Sequence, residues 1–467
     1  MKNVTRIVSI LLLACAMVTV TGLTSCASQL VSQPSAPPVG SDAPVSSEVP
    51  AAAEGTTLLI YMWNDEFKGM FENYYLKDHP LPAGVEYEIV INPSQDNEYQ
   101  QKLDEAILSG RPIDIFLMEA DSAVKYVNSD ATKDLKSLGI TDADLANQYE
   151  YTRAIATDKN GVLKGSSWQA APGLFVYRRS FARDIFGTDD PAEMQELLRD
   201  WDRFSTAAEL VKTKSGGKIT MLSGFDDSYR IFSNSSTKPW VDESNTIQID
   251  DRLWDWVDQT KAFSESGYNA QTTLWDDAWT QGQTPAGRVF GYFYSTWGIT
   301  WTLAGNSLKV SEADGGKLEV GNGIYGDWAA IEGPNPYFWG GTWIAAGANG
   351  DNDALVADII KYFTVDTISM QRYAEKSLDY VNNKQAIRNI IDNGFTSDFL
   401  GGQNHYSLLY KSAEAIKLPP LTAYDQGCNE AFQSAFKDYF TGTVENKATA
   451  LDSFYAKVLE KYPNLSR

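Results

Sequence analysis

Aromatic rings, carboxylates and amides cluster at a few places along this chain, several of them just after a segment of strand character. They are Trp63-Asn64-Asp65-Glu66, Glu119-Ala120-Asp121, Trp168-Gln169, Phe225-Asp226-Asp227 and Trp275-Asp276-Asp277-Ala278-Trp279. Flat rings beside short polar groups suit a ligand with a weakly apolar face and a rim of hydrogen-bonding groups. A further stretch, Pro336-Tyr337-Phe338-Trp339-Gly340-Gly341-Thr342-Trp343, crowds four aromatic side chains around two glycines. Large rings usually bury, but glycines inside a strand mark close backbone approach, so this stretch could be core or could face a ligand.

Other chemistries are hard to build. The chain has two histidines, His79 and His405. A histidine-rich metal centre or a Ser-His-Asp site therefore lacks its parts, and both residues read as structural or solvated. Asp351-Asn352-Asp353 lacks the Gly and Glu that complete a calcium loop and reads as a solvated helix start. No glycine-rich phosphate loop is present, and no cofactor or metal is expected. Of three cysteines, Cys15 and Cys26 fall near the N-terminus, leaving Cys428 as a small core residue with no partner for an intrachain disulfide.

The positioning elements follow from patterning. Thr57–Met62 and Ile113–Met118 are apolar runs of strand length, the mark of strands buried on both faces, and Glu86–Ile91 is a strand between them. Helices over about Glu66–Leu76 and Asn97–Ser109 alternate with them, which predicts an α/β domain with a parallel sheet. Further on, Ala171–Arg178, Lys218–Leu222 and the apolar part of 285–301 read as strands. From Asp353 the chain is mostly helical. Trp201, Trp254 and Trp256 fall within helical patterns and are assigned to packing.

The N-terminus gives an address. Lys2 and Arg6 precede an apolar run, Ile7 to Val20, and then Leu23-Thr24-Ser25-Cys26. That is a secretory signal, residues 1–25, and the last four residues resemble a bacterial lipobox, which implies lipidation at Cys26. Residues 26–55, rich in Ser, Pro and Ala, read as a flexible tether with a mean reach of about 30 Å. Formal net charge is −22 over the whole chain. Removing Lys2 and Arg6 leaves 37 basic against 61 acidic residues, or −24. Such a field disfavours nucleic acid and anionic ligands and favours neutral or cationic ones.

Several longer stretches carry a family resemblance. "YQQKLDEAILSGRPIDIFLMEAD" (99–121), "APGLFVYRRSFARDIFG" (171–187) with "DWDRFSTAAELVK" (200–212), "GRVFGYFYSTWGITW" (287–301) and "GGTWIAAGANGDNDALVADIIKYF" (340–363) occur in the order found in extracellular solute-binding proteins of carbohydrate ABC transporters, the maltose-binding-protein-like group. The resemblance implies an α/β, two-lobed periplasmic-binding-protein-like fold with a hinge and a helical C-terminal region. Lobe 1 would take residues 56–168 and 328–380, lobe 2 residues 169–327 and 381–467. Chain crossings would fall near 165–172, 325–331 and 378–386, with the ligand between the lobes.

The same resemblance implies a neutral sugar ligand bound without chemistry, together with ABC permease subunits as partners; the abundance of Trp favours an oligosaccharide over a monosaccharide. The protein would be a monomer on the outer face of the membrane, in the Gram-positive manner. Expected ligand-binding residues are Trp63, Asn64, Asp65, Glu66, Asp121, Trp168, Gln169, Asp227, Trp275, Trp297, Trp339, Gly340 and Trp343. A surface glycoside hydrolase, which needs two carboxyls set across the scissile bond, and a lipid-anchored adhesin or scaffold are the rival classes. The Trp-rich segment 223–285 departs from the family pattern and leaves the choice of sugar open.

Overall fold

The computed structural model describes residues 55–94 and 97–467. The signal segment, Cys26 and nearly all of the tether lie outside the described residues. Two sheets organise the rest. The first contains β1 (Thr57–Met62), β2 (Glu86–Ile91), β3 (Ile115–Glu119), β4 (Ser166–Ser167) and β10 (Thr342–Ala346), in the order β2-β1-β3-β10-β4. β1 is buried at five of six positions because β2 and β3 flank it and helices cover it. β2, at the edge, has no fully buried position, as a strand with a wet flank should.

The second sheet contains β5 (Gly173–Arg178), β8 (Gly291–Ser295) and β9 (Trp328–Ile331), in the order β8-β5-β9. A short pair, β6 (Leu222–Gly224) with β7 (Asn269–Thr272), extends this half through a bridge from Thr220 to Val289. The molecule is thus α/β and two-lobed, with helices packed on both sheets.

Two sequence expectations are corrected. The sheets are not simply parallel: β1 pairs in parallel with β2 and β3, but β10 runs antiparallel to both its neighbours, and all of β8-β5-β9 is antiparallel. Continuous apolar runs report burial on two faces, not strand direction. The boundary at 328 is also wrong, since β9 belongs to the second sheet. The chain passes from that sheet to the first within 332–341, just past the expected 325–331.

The chain first passes between the two sheets within 168–172, from β4 to β5. This passage is braced by 379–382: Ala170 N–H donates to Tyr380 O (3.2 Å) and Asn382 N–H to Trp168 O (2.7 Å). Tyr337, fully buried in the second passage, donates its hydroxyl to the carbonyls of Leu174 (3.0 Å) and Tyr294 (3.1 Å). A Cβ at Gly173 would overlap the Tyr337 ring, so only glycine lets β5 and this passage meet.

A third core joins helices 251–266, 425–440 and 447–461 around Trp256, Phe432, Phe436 and Phe454. Trp201 stacks on Phe232 at 4.4 Å, and Trp254 meets Phe432 and Phe436 edge-on, so the packing assigned to these rings is met. Cys428 is buried there, and burial pushes its thiol up to about 12.

Candidate functional site

One cavity, about 550 Å³, is lined from both lobes. Lobe 1 supplies Trp63, at the end of β1, with Tyr99, Glu119 and Asp121 around the end of β3. The segment after β7 supplies Trp275, helix Tyr229–Asn234 supplies Arg230, and helix Asp425–Phe440 supplies Gln426 and Glu430. Strand ends deliver most of these side chains, because open α/β sheets leave their ligand crevice at the loops that follow the strands.

The aromatic part is held by ring contacts. Trp63 rests edge-on against Tyr99 with centroids 5.4 Å apart, and Tyr99 is fixed by donating to Leu117 O at 2.6 Å. Trp275 is 54% exposed and sits at φ +72°, a conformation rare for so large a residue. It lies 6.0 Å from Trp297 and 6.2 Å from Trp339, and edge-on to Trp279 at 5.1 Å. Trp297 Nε1 donates to Trp339 O (2.9 Å). Gly340, at φ +79°, lets the backbone turn there, and a Cβ on it would crowd Trp297.

The polar part is dominated by acids. Glu119 caps helix Ala120–Val127 by accepting from Asp121 N–H (2.9 Å). Burial, then the neighbouring Asp121, push Glu119 up to about 8, with Arg230 opposing. Asp121 and Arg230 form a two-pronged ion pair with N···O distances of 2.8 and 2.6 Å. Burial works against the charge on Arg230, but the carboxylates around it more than offset that and hold the guanidinium charged.

Of the expected ligand residues, the structure brings Trp63, Asp121 and Trp275 to the same cavity, with Trp297, Trp339 and Gly340 bordering Trp275. Others go elsewhere, which corrects the expectation for them. Trp168 is 1% exposed and stacks on Phe67 at 5.4 Å within the lobe 1 core. Trp343 is also 1% exposed, since β10 runs between β3 and β4, and it donates Nε1 to Thr152 O (2.8 Å).

Asp227 is 8% exposed and is spent on the backbone of its own turn and on Trp279. It accepts from Ser223 and Gly224 N–H (both 2.8 Å) and from Trp279 Nε1 (2.9 Å). Its role is to hold the loop that presents Trp275. Gln169 is buried in the first passage, where Nε2 donates to Glu66 (2.8 Å) and Asp379 (2.7 Å). Glu66 is thereby part of the hinge. Asn64 accepts from Glu66 N–H (3.0 Å) and Asp65 opens helix Glu66–Met70 as its exposed N-cap; neither is among the residues lining the cavity.

Sequence reasoning missed Arg230 and Gln426. Both belong to the cavity only through folding contacts that span more than a hundred residues, so no local pattern points to them. Glu119 was in view beside Asp121, and its place at the strand end was the available signal. Among the described residues, no group of three or more His, Cys, Asp or Glu is arranged to hold a metal ion.

Comparison with known proteins agrees with this architecture. The model of the family described as bacterial extracellular solute-binding protein matches residues 75–391. The chain belongs to that family, which places it outside the cytoplasm and among proteins that bind substrates rather than convert them.

Solved structures share the fold. A structure titled "extracellular solute-binding protein family 1" superimposes with a TM-score of 0.72 at 18% identity, covering 86% of this chain and 100% of that one. The sugar-binding protein MalE of Xanthomonas citri gives 0.66 at 12% identity, covering 87% and 98%. The galacto-N-biose/lacto-N-biose I-binding protein of the Bifidobacterium longum ABC transporter, in complex with lacto-N-biose, gives 0.66 at 11% identity, covering 89% and 100%. None of the curated proteins compared with the chain matches it.

Proposed function

We propose that this protein captures a neutral oligosaccharide between its lobes and hands it, unchanged, to the permease of an ABC importer. It would act as a monomer tethered by lipid at Cys26 to the outer face of the cell membrane. The observation that carries the reading is the cavity faced by Trp63 from one lobe and Trp275 from the other, with carboxylates and amides between them. Its volume of about 550 Å³ falls within the range of about 300–1,000 Å³ common for small-ligand pockets. The solved relatives that bind sugars support the substrate class.

Energetics say what the polar groups must do. A sugar face stacked on an indole removes about 60 Å² of apolar surface, worth about 1.5 kcal/mol. Trp63 and Trp275 together would give about 3 kcal/mol, whereas a micromolar ligand needs about 8 kcal/mol. Hydrogen bonds from the hydroxyl rim to Asp121, Glu119, Gln426 and Glu430 must supply the difference. Acidic side chains outnumber basic ones in the lining, which matches a ligand rich in hydroxyl groups.

The test is a tryptophan-fluorescence screen of the purified protein against α-glucans, β-mannans, xylans and β-galactosides, with chromatography of each sugar afterwards. A saturable change with the sugar intact supports the proposal. Shortened chains would point to a hydrolase, and silence across the panel would contradict sugar capture.

A further inference from the structure

Contacts within the chain itself join the lobes across the cavity. Arg230 stands on helix Tyr229–Asn234, which follows β6 in lobe 2, while Asp121 stands in the first turn of helix Ala120–Val127, directly after β3 in lobe 1. The guanidinium meets the carboxylate with both terminal nitrogens, at 2.8 and 2.6 Å, although 109 residues separate the two in sequence. Their side chains are 24% and 19% exposed, so water screens the pair only in part.

A second bridge lies beside the first. Gln426, in helix Asp425–Phe440, donates to Asn97 Oδ1 (2.7 Å) and accepts from Gln100 Nε2 (2.7 Å) at the start of helix Glu98–Leu108. Both bridges lie on the wall of the same cavity.

We propose that the Asp121–Arg230 pair is a latch that holds the lobes shut over the cavity, with Gln426 as its second catch. Asp121 and Arg230 are then positioning residues: they set the balance between open and closed forms, and through it the dwell time of the ligand, beyond whatever contact either makes with it. Bidentate Arg–carboxylate geometry suits the task, because it fixes orientation as well as distance, and lysine cannot reproduce it. The inference rests on the cavity being the binding site.

Small-angle X-ray scattering on the purified chain and on R230A, D121A, the R230A/D121A double variant and R230K tests the latch without requiring any ligand. Expected is a larger radius of gyration in both single alanine variants, no further increase in the double variant, and a partial return in R230K. With a sugar identified by the screen above, dissociation from R230A should be about tenfold faster.

An unchanged radius of gyration in both single variants overturns the latch, whatever happens to binding. Weaker binding by variants that stay as compact as the parent also overturns it, and assigns the pair to direct ligand contact. If the parent binds no sugar while the alanine variants still expand, the latch stands and the sugar reading fails.

Discussion

Rings with similar sequence surroundings end in opposite environments. Trp275 is held by ring contacts at the cavity, while Trp168 is sealed in a core. W275A should therefore raise the dissociation constant for the bound sugar about tenfold, by losing about 1.5 kcal/mol of stacking, with little change in melting temperature. W168A should destabilise the fold by about 3–5 kcal/mol, as loss of a buried ring does. Calorimetry and thermal melts of the two variants separate these outcomes; equal effects on binding would refute the assignment. The sequence marked Trp63, Asp121, Trp275, Trp297 and Trp339 because strand ends and a family order were visible. It misplaced Trp343 because a Gly-Gly turn and the strand after it look alike in one dimension. Asp227 misled for another reason: a carboxylate that caps a turn has the same composition signal as one that meets a ligand.

At the scale of elements, the hinge contains an ionisable group that ties stability to pH. Glu66 faces Gln169 and Trp168 of the first passage, Asp379 in the segment that braces it, and Tyr373. Burial, then the charge of Asp379, raise it from 4.5 to about 8, so the folded hinge holds the proton more tightly than the unfolded chain does. The contribution of Glu66 is complete below about pH 4.5 and is lost as pH rises through 8. His405 acts in the opposite sense. It opens helix His405–Ala415, buried with neither ring nitrogen hydrogen-bonded, and burial lowers it from 6.5 to about 4. Its contribution is present above about pH 6.5 and is lost as pH falls through 4. Melting curves from pH 4 to 9 should show E66Q flattening the alkaline limb and H405F flattening the acid limb. An E66Q profile parallel to that of the parent would remove Glu66 from the hinge account.

Across the whole molecule, the two-lobed class was legible and its seams were not. Apolar runs located β1, β3, β5 and β8 to within a few residues, because buried strands must be apolar. The crossing at 332–341 was misplaced because β9, "WAAI", pairs across the sheet with β5, and pairing partners 150 residues apart leave no local trace. The same reason hid Arg230 and Gln426, whose partners stand on the other side of the cavity. Gly173, the first residue of β5, meets the Tyr337 ring of the second passage with no room for a Cβ, so substituting it by alanine should disturb that junction. G173A is expected to lower the melting temperature by several degrees, and to do so even in the absence of any sugar; an unchanged melt would mean the passage tolerates the added methyl group.

The proposed function requires indoles from both lobes to grip one neutral oligosaccharide. Isothermal titration calorimetry of the parent chain and of the W63A/W275A double variant, using the sugar that emerges from the fluorescence screen, tests it most directly. The account predicts saturable one-to-one binding by the parent and a loss of about a hundredfold in the double variant, the sum of two stacked faces at about 1.5 kcal/mol each. Parent-like affinity in the double variant would contradict it.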